Sequence, residues 1–234
     1  MLKSPEALRQ LSARYSGWLT RLSKLRSRQG LYEFLTREYL SIAPGARVLT
    51  VGSGGDVNRL LAEAATRIGF DMCSIDIDPD RAPDIVGDIC RIPLSTNLFD
   101  VVVVAEVLEH VTRPADAVAN LYSALKPGGK LILTTPFVFP MHDRPHDYFR
   151  FTKHGLDLLL QDFQNVDIQA RNSYYEAIDV LWVRLLQTHQ RSTALLCFIA
   201  IPLIYFIKRP LTLLLTKLFP CDAMTTGYVA TALR

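Results

Sequence analysis

Residues 140–152, PMHDRPHDYFRFT, place two histidines, two aspartates, two arginines and three aromatic residues in thirteen positions. Several kinds of chemistry fit that content. His142 or His146 can act as a base toward an acceptor hydroxyl near neutral pH, with Asp143 or Asp147 orienting the imidazole. Arg144 or Arg150 can grip an anionic acceptor such as a phosphate or carboxylate, and Tyr148, Phe149 and Phe151 can wall a pocket. A metal site made of His142, His146 and an aspartate is the weaker reading, because Pro145 spoils the helical i, i+4 geometry. No metal is therefore expected. A structural role competes with all of these, since Tyr148 and Arg150 can equally bond the loop to the next helix. The stretch alone does not decide.

Three further motifs carry chemistry. VLTVGSGGDVNRLL (48–61) reads as a strand, a glycine-rich turn and a helix start. Gly52 and Gly54 let the backbone pass close to a ligand, and the helix N-terminus offers unpaired N–H groups. A dinucleotide fingerprint needs Gly or Ala three residues beyond Gly54, where Val57 stands, so a nicotinamide-cofactor reading is weakened. A P-loop is excluded because no GK[ST] follows. In SIDIDPD (74–80), Asp76 ends a strand and can hold both hydroxyls of a ribose. Asp78 is a neighbouring candidate that a Pro79 surface turn explains as well. In GDICRIPL (87–94), Asp88 can accept a hydrogen bond from the exocyclic amine of a base. EVLEHV (106–111) follows the next strand, and its His110 reads more readily as a turn residue than as a base.

What positions these motifs is an alternation of strands and helices. RVLTV (47–51), MCSID (72–76), PDIVGD (83–88), FDVVVVA (99–105) and KLILTTP (130–136) are apolar runs bounded by Gly, Pro or Asp, as strands covered on both faces are. Helical segments lie near 56–67 and 114–125, the second closed by KPGGK. The fold expected is α/β, a doubly wound, mostly parallel Rossmann-like sheet. NVDIQA (165–170) and TGYVATAL (226–233) supply strands six and seven. Each motif comes just after a strand, so all of them converge on one edge of the sheet.

The chain has 234 residues, 49% of them hydrophobic and 21% charged, which argues for one folded domain with an appendage. A net charge of +3 gives no reason to expect a nucleic-acid partner. The basic excess is local, with eight Lys/Arg against three acids in residues 1–40. Cys73, Cys90, Cys197 and Cys221 form no CxxC pair, so neither a zinc site nor a disulfide framework is indicated. A reducing, cytoplasmic setting fits, and residues at the N-terminus lack the apolar run of a signal peptide.

With these motifs together, residues 46–136 resemble the core of the class I S-adenosylmethionine-dependent methyltransferases of the type 11 kind, in the subgroup whose fourth strand runs into an EVLEHV-type turn. The resemblance implies S-adenosyl-L-methionine as cofactor, held by Gly52, Gly54, Asp76 and Asp88 and lined by backbone around Ile89 and Glu106. It implies a seven-stranded methyltransferase sheet in which the 140–152 loop lies over the methyl-bearing end of the cofactor. Catalysis then falls to His142, His146 and Asp147. Thr50 stands where the family usually has an acid, and Asp56 where it has a third glycine. The HD…DYFRFT pattern is similar to methyltransferases encoded with bacterial surface-glycan assembly enzymes, which implies O-methylation of a sugar or lipid-linked glycan. The rival readings are a small-molecule lipid or quinone acceptor, and a non-catalytic, cofactor-binding membrane adaptor.

Two regions stand outside the sheet. Leu8, Leu11, Tyr15, Trp18, Leu22 and Leu25 form an apolar helix stripe with basic residues around it, a cap on the sheet or a membrane-surface helix. ALLCFIAIPLIYFI (194–207) is fourteen apolar residues followed by KRPLTLLLTKLF. That is shorter than the roughly twenty residues of a spanning helix, and strands on either side of it in one sheet demand an even number of crossings. The segment is expected to lie in a membrane interface, broken by Pro202 and Pro210, or to form a homodimer contact. The resulting domain scheme is 1–44 as an N-terminal helical region, 45–173 with 220–234 as the methyltransferase domain, and 174–219 as a hydrophobic helical insertion. The protein is expected in the cytoplasm, peripheral on the membrane face where the insertion meets lipid.

Overall fold

Val101, Val102, Val103 and Val104 are all buried, and successive side chains of a strand point to opposite faces. A strand of that kind must be covered on both sides, and the fold supplies the two covers. A computed structural model describes residues 14, 15, 17, 18, 21, 22, 27–188 and 194–234. Its strands are β1 (Arg47–Val51), β2 (Asp71–Asp76), β3 (Ile85–Val86), β4 (Phe99–Ala105), β5 (Leu125–Pro136), β6 (Gln164–Ala170) and β7 (Gly227–Leu233). They form one seven-stranded sheet in the order β3-β2-β1-β4-β5-β7-β6. The first five run parallel, and β7 runs antiparallel to both β5 and β6.

On one face, Leu31, Phe34, Leu35 and Tyr39 of helix α1 (Gln29–Leu40) and Leu61 and Ala64 of α2 (Gly55–Ile68) pack on Val48, Val101, Val103 and Ile132. On the other, Ala117, Val118 and Leu121 of α3 (Pro114–Ala124) and Leu156 of α4 (Lys153–Leu159) pack on Leu49, Val102, Val104, Leu131 and Leu133. The period-two division of β4 between these covers is what makes the sheet doubly wound. Burial of one such aliphatic side chain stabilises the fold by about 1.5–3 kcal/mol.

Two strands differ from the sequence reading. The third spans only Ile85–Val86, because Asp84 is drawn to the backbone and side chain of Ser74 and Gly87 already turns at the edge. The fifth begins at Leu125, ahead of KPGGK, because Leu125 pairs with Phe99 before the register shifts to Val101 and Lys130.

The chain divides into two compact units, one comprising Gly30–Arg171 with Thr226–Arg234 and the other Met1–Gln29 with Asn172–Thr225. The first holds the sheet. In the second, α5 (Tyr174–Thr188) is followed by α6 (Ala194–Pro202), a π-helical turn (Leu203–Lys208) and α7 (Arg209–Leu218). The two prolines do not break this segment, contrary to the sequence reading. The π-turn follows Pro202, and Pro210 lies at the start of α7, directly after that turn, with the flanking Lys208 and Arg209 still helical. Ile199–Leu218 is therefore a continuous helical stretch of 20 residues with mean hydropathy 1.5, long and apolar enough to cross a membrane.

The polarity of this unit is unusual. Asp179 is buried and accepts hydrogen bonds from Thr212 (2.7 Å) and from Lys208, and Ser173 pairs with Thr216 at 2.8 Å. Leu196, Ile199, Leu203, Phe206, Ile207, Leu211, Leu214 and Leu218 are exposed, as is Trp18, whose ring stacks on Phe206. Val183, Ile201 and Tyr205 form its small apolar centre.

Candidate active site

The turn after β1 has a left-handed residue at Gly52 (φ +85), where a side chain is strained and a Cβ would press on Val107 at 3.0 Å. Gly54 precedes α2, whose first N–H groups have no side-chain cap. The neighbouring Asp76, at the end of β2, is nearly buried. Its carboxylate accepts hydrogen bonds from Ser53 N (2.8 Å), Ser53 Oγ (3.2 Å) and Asp78 N (3.0 Å), and Arg81 Nη1 lies 3.5 Å away. Burial opposes its charge. Those hydrogen bonds and Arg81 outweigh burial and hold the carboxyl below the ordinary aspartate value. A strand-end carboxylate and a glycine turn are thus locked together as an ionised, donor-lined cradle. Asp56 sits in the first turn of α2, 3.4 Å from Arg59 and within 3.4 Å of the Tyr32 hydroxyl, and Thr50 is buried in β1.

Asp88 stands one residue beyond Gly87, whose N–H donates to the Asp76 carbonyl at 2.9 Å, so both acids share one corner of the edge. Its carboxylate caps the turn by accepting from Cys90 N (2.9 Å), with Arg91 3.4 Å away. Ile89 is buried, and its carbonyl is fixed by Asn120 Nδ2 at 2.9 Å.

After β4 the chain takes a left-handed step at Glu106 (φ +58), uncommon for a residue with a Cβ. The Glu106 carboxylate is occupied, gripped by both Nη atoms of Arg171 and by Thr134 Oγ1 at 3.0 Å. Glu109, three residues on in the short helix Leu108–His110, is fully buried. Its Oε2 lies 3.5 Å from Thr135 Oγ1, while Oε1 has no hydrogen-bond partner among the described residues. Burial, reinforced by the Glu106 charge, pushes the Glu109 carboxyl well above the ordinary glutamate value.

The 140–152 loop folds onto this turn. Tyr148 N and Phe149 N donate to the Glu109 carbonyl at 2.8 and 3.2 Å, and His110 Nδ1 lies 2.5 Å from the His146 carbonyl. Within the loop, Asp147 receives both Nη atoms of Arg150 (2.5 and 2.7 Å) and the His142 N–H (2.9 Å). The Arg150 bonds dominate and hold the Asp147 carboxyl far below the ordinary value. Arg150 is thereby committed to the loop. His142 stands with its ring centre 4.9 Å from that of His110, and its Nε2 lies 3.9 Å from Glu109 Oε1. His146 is exposed, and its Nδ1 meets the Tyr148 hydroxyl at 2.9 Å.

The two histidines of the loop are thus separated in role: His142 turns to the buried glutamate and His146 to the loop's own tyrosine. Among donor groups able to hold a cation, Glu109, His110 and His142 converge, with ligating atoms within 4.8 Å of one another. Sequence reasoning missed Glu109 and Arg171. Glu109 lay within EVLEHV, where a glutamate amid Val, Leu and Val was the available signal; Arg171, beyond β6, offered none.

The sheet order, the glycine turn and the strand-end acids define the fold of class I methyltransferases. The chain belongs to the methyltransferase-domain family, whose profile matches residues 7–180. A ubiquinone biosynthesis O-methyltransferase of Xanthomonas campestris is 37% identical over 107 residues, 39% of this chain and 44% of that protein. A demethylmenaquinone methyltransferase of Renibacterium salmoninarum is 32% identical over 106 residues, 42% of this chain and 45% of its own. The matched part is less than half of each curated relative. A SAM-dependent methyltransferase from Archaeoglobus fulgidus superposes with a TM-score of 0.57 at 16% identity, over 89% of this chain and 94% of that one.

Proposed function

We propose that the protein transfers a methyl group from S-adenosyl-L-methionine to an oxygen of its acceptor. The observation that carries this reading is the donor-lined cradle of Asp76 and the Gly52–Gly54 turn, at the same edge of a parallel sheet as the Glu109–His110–His142 cluster. When bound, the cofactor supplies a methyl group on a positively charged sulfur, so the protein need only position the acceptor and activate it. Gly52 and Gly54 leave room for the cofactor's close approach, Asp76 takes its ribose hydroxyls, Asp88 its base, and Ile89 and Glu106 line it. Ionised Asp76 is already pre-organised for that contact.

Activation of the acceptor falls to the cluster that includes His142. Asp147 positions His142 through its backbone and the Arg150 clamp, and does not itself meet the acceptor. His146, engaged by Tyr148, only shapes the rim. The similarity to O-methyltransferases supports oxygen as the acceptor atom. The loop motif favours a sugar or lipid-linked glycan, and the relatives' names favour a quinone-type phenol. Both are carried by lipid, which agrees with a peripheral position at the cytoplasmic membrane face, the exposed apolar side of 194–218 meeting the bilayer. A second copy of the chain covering that side is the rival arrangement.

Titration with S-adenosylhomocysteine tests the cofactor reading, and absence of binding overturns it. Transfer of labelled methyl from the cofactor into a membrane lipid extract, resolved into glycan-lipid and quinone fractions, tests the acceptor. Flotation with anionic liposomes, set against sedimentation without lipid, separates membrane contact from dimerisation.

A further inference from the structure

The two compact units carry opposite charge. The helical unit, Met1–Gln29 with Asn172–Thr225, has twelve Lys/Arg against four acids, a net +8 with histidines neutral. The sheet unit has fourteen against nineteen, a net −5, so the +3 of the whole chain conceals a strong segregation. Within the helical unit Lys208 pairs with Asp179. Arg14, Arg21 and Lys217 are exposed and form no ion pair among the described residues. Burial, reinforced by the Arg28 charge, lowers the Arg184 guanidinium from its ordinary value, as like charges brought together do.

The same unit exposes apolar side chains on more than one helix. Trp182 and Leu185 of α5, Leu196 and Ile199 of α6, Phe206 of the π-turn and Leu214 of α7 are each more than half exposed. Polar groups turn inward instead, with Asp179 and Thr212 buried against each other. Exposed apolar groups beside unpaired cations, as where Lys217 adjoins Leu218, suit a surface of hydrocarbon beneath anionic headgroups. A second copy fits this face poorly, because it would set +8 against +8 within the Debye length. Nucleic acid would satisfy the cations and leave the leucines and isoleucines in water.

We propose that the helical unit is a cationic membrane-binding module selective for acidic phospholipids. The inference rests on the peripheral-membrane reading above; it names the lipid class and decides against a dimer at this face. Coulomb attraction draws the module to the surface and apolar burial holds it there, so binding weakens in salt without vanishing. The negatively charged sheet unit is repelled by the same headgroups and adds nothing to the attraction. Recruitment, and with it access to a lipid-carried acceptor, then follows the acidic-lipid content of the membrane.

The chain's two tryptophans, Trp18 and Trp182, are both exposed and both in this unit, so intrinsic fluorescence reports on it alone. The full chain is titrated with vesicles of phosphatidylcholine and with vesicles of phosphatidylcholine and phosphatidylglycerol in equal parts. The mixed vesicles are expected to shift the emission to the blue and to bind at least about tenfold more tightly, an advantage that falls away as sodium chloride is raised. Combining Arg14→Glu, Arg21→Glu and Lys217→Glu lowers the unit's charge from +8 to +2. That variant is expected to lose the advantage while its melt and its S-adenosylhomocysteine binding stay unchanged. The same three positions changed to Gln keep the test open where the Glu variant fails to fold. Equal binding to both vesicles, or binding unchanged in a folded charge variant, overturns the proposal and leaves the membrane reading standing. Binding to neither vesicle overturns both, whether sedimentation then shows a dimer or an RNA oligonucleotide shifts the emission.

Discussion

Asp76 and Glu109 are both nearly or fully buried carboxylates beside the ends of parallel strands, and they are treated in opposite ways. Asp76 is surrounded by backbone N–H groups, a hydroxyl and a guanidinium, and stays ionised. Glu109 has one distant hydroxyl on Oε2, none on Oε1, and a carboxyl pushed up by burial. The first environment is complete before any ligand arrives; in the second, burial and the Glu106 charge outweigh the groups that favour ionisation. On the proposed reading, cofactor recognition and acceptor activation fall to separate halves of one edge, and each half can be damaged without the other.

The largest expected effect is on the acceptor half. His142→Ala should lower turnover about 10²–10⁴-fold with S-adenosylhomocysteine affinity kept, whereas His146→Ala should cost less than about tenfold. Equal losses in the two variants, measured once an acceptor is known, would erase the distinction between the histidines. Next, Arg171→Ala leaves Glu106 inside the fold without its cation. Breaking such a pair costs about 3–5 kcal/mol, so thermal unfolding should shift down by many degrees. A near-wild-type melt would show that Glu106 is solvated rather than held.

On the cofactor half, Asp76→Ala should weaken S-adenosylhomocysteine binding by about 1.5–3 kcal/mol, read by calorimetry on a folded variant. Part of that loss comes from the glycine turn, which Asp76 also ties down through Ser53. Unchanged affinity would remove Asp76 from the site. The smallest effect concerns Asp84, which fixes β2 to the short third strand. Hydrogen bonds from the Ser74 side chain and backbone, both 2.7 Å, hold its carboxyl below the ordinary value. A depressed folded-state pKa contributes stability above the unfolded value of roughly 4 and loses it as pH falls through the folded value. Asp84→Asn should therefore melt slightly lower than wild type at pH 6–8, by less than about 1 kcal/mol at this exposed site, and the gap should close in acid. A gap independent of pH would mean that the charge on Asp84 is immaterial.

The strands that position the site were legible because Val101–Val104 and Leu131–Leu133 are continuous apolar runs, and the first glycine turn because Gly52 needs a left-handed backbone. The position of Asp76 was legible because it closes the short run MCSID, and the strand does end there. The acceptor half was harder. Nothing in MHDRPHDYFR distinguishes His142 from His146; the distinction arises because the Glu109 carbonyl captures Tyr148 and Phe149 and so sets which imidazole turns inward. Asp147 looked like a partner for a base; it does lie 3.5 Å from His142 Nδ1, but it also receives Arg150, three residues away in a loop whose backbone no periodicity describes. The prolines of 194–218 misled for a related reason. A helix can admit Pro202 by loosening into a π-turn, which a propensity scale does not represent.

That π-turn also sets the angular phase between α6 and α7. Each residue of an α-helix advances about 100° around the axis, so the extra residue taken up in Leu203–Lys208 rotates α7 relative to α6. The rotation directs Thr212 at Asp179 and Thr216 at Ser173 while Leu211, Leu214 and Leu218 stay on the outside. Deleting one residue from 203–208 would restore an unbroken α-helix, keep the composition almost unchanged, and turn α7 by roughly a quarter of a circle. Leucines would then face Asp179 and the threonines would face out. The irregular turn acts as a spacer between two stripes that a regular helix would throw out of step.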